Sequence, residues 1–530
     1  MERKNYIYIL VLIVLAGLAV RLYELNEPWI GLKDFTGALH GQIAKNYLRF
    51  GYLGTGLGPV TNFESEPESF SYYFHHPILF NIVLSIPMQV LGSEEWVLRL
   101  VPAIASTAGI GLIFFLVRPL WGFNAALFSS LFLAFVPMDG FFGRMVNEET
   151  LAVPIIIAVL ILWTKRSSYD KPSMGLAFYT LLLIGLFTAW PLFYLTGFLF
   201  VHSLLNMKVN PRRLKHCLIL PAMALLSFAA FLLHGRFLTG NWGQSLIALF
   251  LERVGAEQAL MRKASLSNVI AGRFLYFFTP ILLILSLAFL FRTVSKRGQN
   301  PPGSMAIIII LYLVAITHIF LFREGALHHE YWLYYFSVPL AISSALGLDY
   351  ILAMIRKDLP KKLLLAAVCV MFISLSLWRI SSLHAIKKFE YVPELGEWLE
   401  ENTEEHDEIL VIGPALSKFG YSETHFDYHP GKIHTWPMPH VGFYSHRRIR
   451  WGIRDMDELE AIMREPGSLK YAVMTEEYMD SLVKEACERL KSHGCEVVPN
   501  MWEDGKPTPV RIFELGTDIP GKPIPRGGQR

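Results

Sequence analysis

Apolar residues along this chain come in blocks, and many blocks run 15 to 20 residues before a polar or basic connection interrupts them. A helix of that length crosses about 30 Å of hydrocarbon. The blocks predict spans near 6–24, 97–117, 123–141, 150–164, 174–189, 190–207, 214–233, 273–291, 304–322, 332–354 and 363–380. Two further stretches, FTGALHGQIAKNYLRFG at 35–51 and HPILFNIVLSIPMQVLG at 76–92, are mixed or short. They suit helices lying in the membrane interface. The expected fold is a polytopic α-helical membrane protein with about eleven transmembrane helices and two juxtamembrane helices.

The basic connections set the orientation, because Lys and Arg favour cytoplasmic loops. Alternating the spans puts RPLWGFN, KRSSYDKPS, KVNPRRLKH, RTVSKRGQNPP and RKDLPKK on the inside. Residues 25–96, the turn FFGRMVNEE, residues 235–272, REGALHHEY and everything from 381 then fall on the extracytoplasmic side. Counting 76–92 as a span would reverse each later loop, which is why it is read as interfacial.

Past residue 381 the pattern changes. YVPELGEWLEENTEEHDE is acidic and is followed by the strand-like ILVIG; further on, the apolar YAVMT precedes the helical EEYMDSLVKEACERLKSHG, then CEVV and VRIFEL. Strand, helix, strand spacing argues a small α/β domain over 381–530, after a membrane domain over 1–380. No internal repeat or low-complexity tract is present.

Composition agrees. Of 530 residues, 53% are hydrophobic and 18% charged, and mean hydropathy is +0.38. A net charge of +3 is too small to imply nucleic acid. Cys217 and Cys369 lie in apolar runs; Cys487 and Cys495 could pair if the tail is outside the cytoplasm. The start, MERKNYIYILVLIVLAGLAVRLYEL, has a basic end and a long apolar core without a small-residue cleavage site, so it reads as an uncleaved signal anchor.

Charges at a membrane rim are costly and become functional candidates by default. Asp34 precedes a helical run, so it is either an N-cap or a general base or metal ligand. His75 and His76 open the second interfacial helix; neutral imidazoles bind metal or phosphate, although surface histidines are common. Arg144 and Glu148 are four apart and could pair on a helix; the alternative is a phosphate-clamping arginine and an acid facing a cavity, with Glu149 beside it. REGALHHEYWLYYFSVP supplies Arg323, Glu324, His328, His329, Glu330 and Tyr331, with Trp332, Tyr334 and Tyr335 expected in an interfacial aromatic belt. Residues 235–272 add Arg236, Arg253, Arg262 and Lys263, with Arg273 following. Basic residues on that face suit an anionic lipid phosphate. No P-loop, GxSxG, HExxH or CxxC pattern occurs. In the tail, Trp436, Trp451 and His440 are either sugar-stacking groups or domain packing.

The ordered set of these features resembles the integral-membrane glycosyltransferases of GT-C fold, the family of protein O-mannosyltransferases and lipid A aminoarabinose transferases. The resemblance covers residues 1–380. It rests on Asp34 early in a long first outer loop, on His75-His76-Pro77-Ile78-Leu79, and on Arg99-Leu100-Val101-Pro102-Ala103 with Arg118-Pro119-Leu120-Trp121-Gly122. It also rests on Pro137, Phe141, Phe142, Arg144 and Glu148, and on HHEYWLYYFSVP. Ile78 replaces a usual proline, and Glu148 stands where Asp is common. The resemblance implies a polyprenyl-phosphate sugar donor and transfer to a lipid, glycan or protein acceptor with inversion. Asp34 would be the base, and Glu148 would hold the acceptor or a divalent cation. Arg144, Arg253, Arg273 or Arg323 would stabilise the leaving phosphate. A divalent metal is permitted by Asp34, Glu148 and His75. The competing reading, a transporter or flippase of lipid-linked glycans, would be expected to show repeated halves and ionisable groups at mid-membrane.

Overall fold

The computed structural model describes residues 3–62, 70–165, 172–206, 214–241, 243, 246–247, 250–251, 254, 266–295, 303–387, 391–412, 439–451, 453, 455–464, 466–475, 481–493, 496–497 and 510–515. The chain divides into two compact units. The first comprises residues 1–60 and 72–388; the second comprises residues 61–71 and 389–530.

The first unit is helical. Among the described residues five helices are each long and apolar enough to cross a membrane: Glu95–Trp121, Leu214–Thr239, Ser304–Leu321, Glu330–Met354 and Asp358–His384. Six shorter apolar helices accompany them, among them Ile7–Leu22, Glu149–Thr164 and Leu79–Leu91. An eleven-span count requires the shorter ones other than Leu79–Leu91 to cross as well, and the bent pair described next to count as one span. The expected straight span over 273–291 is broken: Asn268–Phe277 and Thr279–Val294 meet at 101°. Thr279, at φ 60°, precedes Pro280, whose ring steers the preceding residue away from helical dihedrals. The mixed segments form Phe35–Phe50 and Leu79–Leu91, the latter with Pro87 inside it.

Close approach of the helices depends on small residues. A Cβ at Gly347 would stand 1.8 Å from the Leu285 carbonyl oxygen, so only glycine lets Ser337–Met354 lie this near Thr279–Ser295. One buried ion pair and its hydrogen bonds tie four helices together. Arg21 is fully buried. It pairs with Asp139 and donates to the Ser106 hydroxyl at 2.8 Å and the Ala134 carbonyl at 3.2 Å. Trp332, Tyr334 and Tyr335, expected in an interfacial belt, are buried within the protein. They pack where the 3₁₀ helix Glu330–Phe336 meets neighbouring helices.

The second unit holds a five-stranded sheet in the order β2-β1-β3-β5-β4. The strands are β1 Glu408–Ile412, β2 Arg448–Trp451, β3 Leu469–Thr475, β4 Glu496–Val497 and β5 Val510–Glu514. β1 runs parallel to β2 and β3, while β5 is antiparallel to β3 and β4. Side chains alternate between the faces. Leu410 and Ile412 pack with Leu459, Ile462 and Leu490, whereas Ile409 and Val411 pack with Val392, Leu395 and Leu399. A strand covered on both faces reads as a continuous apolar run, which is why ILVI carries no polar residue. His440 is buried; Trp436 and Cys495 lie outside the described residues, as does the side chain of Trp451.

Candidate active site

Asp34 stands at the N-cap position of Phe35–Phe50, yet its side chain makes no capping hydrogen bond. Its Oδ2 accepts instead from the Gly31 amide at 2.7 Å and from Arg99 at 3.1 Å. Arg99 is buried and organises the whole approach. It donates to the carbonyls of Leu25 at 3.1 Å and Pro28 at 3.3 Å, also to that of Glu27, and stacks 4.2 Å from the Trp29 ring. Asp34 thus occupies the N-cap position without capping the helix through its carboxylate, which is tied to Gly31 and Arg99 instead. Arg99 stood out in the sequence only as the first residue of Arg99-Leu100-Val101-Pro102-Ala103.

Arg144 does not pair with Glu148. The helix Pro137–Phe142 ends before it and the next begins at Glu149, so the four-residue spacing never lies on one helix. Its guanidinium donates to the carbonyls of Tyr23 at 2.5 Å and Glu24 at 2.7 Å. It also contacts the His384 Nδ1 at 3.0 Å and Glu27 at 3.7 Å. Burial, with Arg99 nearby, lowers it to about 10, so it stays charged at neutral pH. Asp34, Arg99, Arg144, Glu27 and His384 line one hollow of about 20 Å³, room for a water molecule.

Glu148 lies elsewhere. His76 Nδ1 sits 2.5 Å from its Oε1 and His40 Nε2 3.8 Å from its Oε2. His40, missed in the sequence because it sits within an amphipathic run, is fixed through its Nδ1 by Asn81 at 2.7 Å. That bond joins the two short helices Phe35–Phe50 and Leu79–Leu91. Burial raises the Glu148 carboxyl, but the facing His76 and His40 imidazoles outweigh it and hold the acid at about 2. Burial keeps His40 below its ordinary value. The Oε2 of Glu149 is buried without a hydrogen-bond partner, so Glu148 is the acid that meets the histidines.

His75 and His76 line a second cavity of about 350 Å³ with Tyr73, Trp190, Tyr194, His318 and Trp332. The His75 carbonyl accepts from the Trp190 indole at 2.9 Å. Asp34 lines the first hollow, whereas Glu148 lines neither and meets the second only through His76. Of the remaining candidates, Arg273 donates to the Ala326 carbonyl at 2.5 Å and pairs with Glu330 at 3.8 Å, which also meets Lys33 at 3.2 Å. His329 is buried against Tyr331 and Trp332, Tyr331 lies against Phe142, and Arg323 is exposed. Arg253 and the His328 side chain lie outside the described residues.

The expected metal set does not converge. Among the described residues Asp34, Glu148 and His75 form no cluster of ligand atoms; Glu24, Glu27 and His384 do. Lys387 already pairs with both of those glutamates and Arg144 faces the histidine, so that donor set is filled by side-chain cations and does not fit a divalent ion.

Residues 75–234 match the model of a family described as dolichyl-phosphate-mannose-protein mannosyltransferase. No curated protein gives a significant match. The crystal structure of ArnT from Cupriavidus metallidurans bound to undecaprenyl phosphate is similar over 98% of this chain and 100% of its own, with TM-score 0.65 and 12% identity. The oligosaccharyltransferase AglB from Archaeoglobus fulgidus, in complex with an inhibitory peptide and a dolichol-phosphate, is similar over 90% of this chain and 70% of its own, with TM-score 0.54 and 14% identity. The class defined is the GT-C membrane fold. Within it, the likeness to that ArnT structure extends over 98% of this chain.

Proposed function

We propose that this protein is a membrane glycosyltransferase that takes a sugar from a polyprenyl-phosphate donor and passes it to an acceptor at the extracytoplasmic face. The carrying observation is Asp34: a carboxylate released from helix capping and held by Arg99 beside the charged Arg144. In this reading Asp34 accepts the proton of the acceptor group as it attacks the anomeric carbon. The new glycosidic bond forms as the bond from that carbon to the phosphate oxygen breaks, so the configuration inverts. The phosphate leaves with the bonding electrons, and Arg144 stabilises the growing charge. The eleven-span topology, the extracytoplasmic placing of the tail and a role for the tail in acceptor recognition belong to the same proposal.

A second assignment of the base is favoured by the size of the two hollows. His76, backed by Glu148, borders a cavity large enough for a substrate, while the space at Asp34 holds about one water. The test is an in vitro transfer assay with radiolabelled polyprenyl-phosphate sugars, comparing wild type with Asp34→Asn and His76→Gln. Loss of transfer in Asp34→Asn, with the folded protein intact, supports the first assignment. Loss only in His76→Gln moves the base to the second. Transfer unchanged in both removes this chemistry from both residues.

A further inference from the structure

His318 lies in the last turn of Ser304–Leu321 and borders the 350 Å³ cavity. It is 5% exposed, and both of its ring nitrogens are buried with no hydrogen-bond partner. A neutral imidazole carries one donor and one acceptor, and leaving both unmade inside a protein is costly. Its ring is clamped by Trp332 at 4.7 Å, Tyr335 at 5.2 Å and Tyr194 at 6.2 Å. The site is therefore built, with its polar atoms unsatisfied.

The lining states what would satisfy them. Trp190, Tyr194 and Trp332 give flat aromatic walls, and His75, His76 and His318 give the polar edges. No Arg or Lys is among the described lining residues. His76 turns its Nδ1 to Glu148 at 2.5 Å, so a carboxylate stands directly behind one polar edge. A phosphate there would find no Arg or Lys among the described lining, and the His76 imidazole is already engaged by a carboxylate. Hydroxyl groups, which both donate and accept, match imidazoles, and the C–H faces of a sugar ring match indoles. Leu246, Ile247, Phe250 and Leu321 extend the lining as an apolar side, which suits a sugar carried on a prenyl chain.

The geometry points to this cavity as the pyranose site, with His318 hydrogen-bonded to sugar hydroxyls and the lipid phosphate held elsewhere. The inference rests on the glycosyltransferase reading for its donor class, and binding tests it apart from transfer. Purified full-length protein is titrated with polyprenyl phosphate, polyprenyl-phosphate mannose and polyprenyl-phosphate glucose. The expected result is at least about tenfold tighter binding of a sugar-bearing lipid than of the bare lipid phosphate, the worth of one or two buried hydrogen bonds. His318→Phe should abolish that preference and leave bare-lipid affinity within about threefold; His318→Gln, which keeps a donor and an acceptor, should retain most of it. A free methyl pyranoside should compete with the sugar-bearing lipid and leave bare-lipid binding untouched; binding of the pyranoside and the sugar-bearing lipid together, without competition, would assign the cavity to an acceptor sugar and overturn the donor placing. Equal binding of all three lipids to wild type, or a preference unmoved in a folded His318→Phe, overturns the inference. Absent transfer with an intact sugar preference would sink the catalytic reading while sparing this one.

Discussion

The imidazole of His76 meets the carboxylate of Glu148 at 2.5 Å, joining the start of one short helix to the turn before another. The pair makes the acid pH-sensitive in a defined direction. Its folded value, about 2, lies below the ordinary carboxylate value, so its stabilisation is present above that ordinary value and is lost as pH falls through the folded one. Wild type should therefore exceed Glu148→Gln by a constant margin above about pH 4.5, and that margin should shrink steadily as pH falls from there toward about 2. Thermal melting across pH in detergent reads this out. Parallel curves would show that the pairing contributes nothing to folding.

Arg99 holds Asp34 and three carbonyls of the preceding loop. Arg99→Lys keeps the charge but not the planar fork, so it cannot reach all of them. Transfer should fall by about tenfold to a hundredfold, chiefly in kcat, because the base is misplaced while the substrate cavity is untouched. A rise in KM alone would argue that Arg99 serves binding.

Arg21 and Asp139 form a pair sealed from solvent. Removing one partner strands the other, at a cost of about 3–5 kcal/mol. Replacing both, as Arg21→Met with Asp139→Leu, should cost clearly less than the sum of the single changes. Chemical or thermal denaturation of the four proteins gives the cycle; additive losses would mean the two groups act independently.

Gly347 separates two packed helices with no room for a side chain. Gly347→Ala should destabilise by about 1–3 kcal/mol, the usual range for overpacking. Gly111→Ala, where a Cβ meets nothing within 4 Å, should be neutral or slightly stabilising through helix propensity. A melting temperature unchanged at Gly347 would contradict the close packing.

What the sequence by itself determined is local. Blocks of apolar residues specify helices because a helix satisfies its own backbone, and a window of neighbours suffices to read that. The expected spans overlie helical segments, two of them, 123–141 and 273–291, divided between two helices, and the candidate acids and histidines were legible as charges kept where charge is costly. The tertiary structure alone decided which of them meet. Arg144 and Glu148 have helical spacing but no shared helix. Asp34 has an N-cap position, yet Arg99 takes its carboxylate. His40 and His318 look like residues of an apolar run until packing sets Asn81 and Glu148 against the first and an aromatic-walled cavity against the second. The bend at Thr279 turns on a dihedral that hydropathy does not report. These contacts join segments far apart in the chain, and only the packing of whole helices fixes their distances.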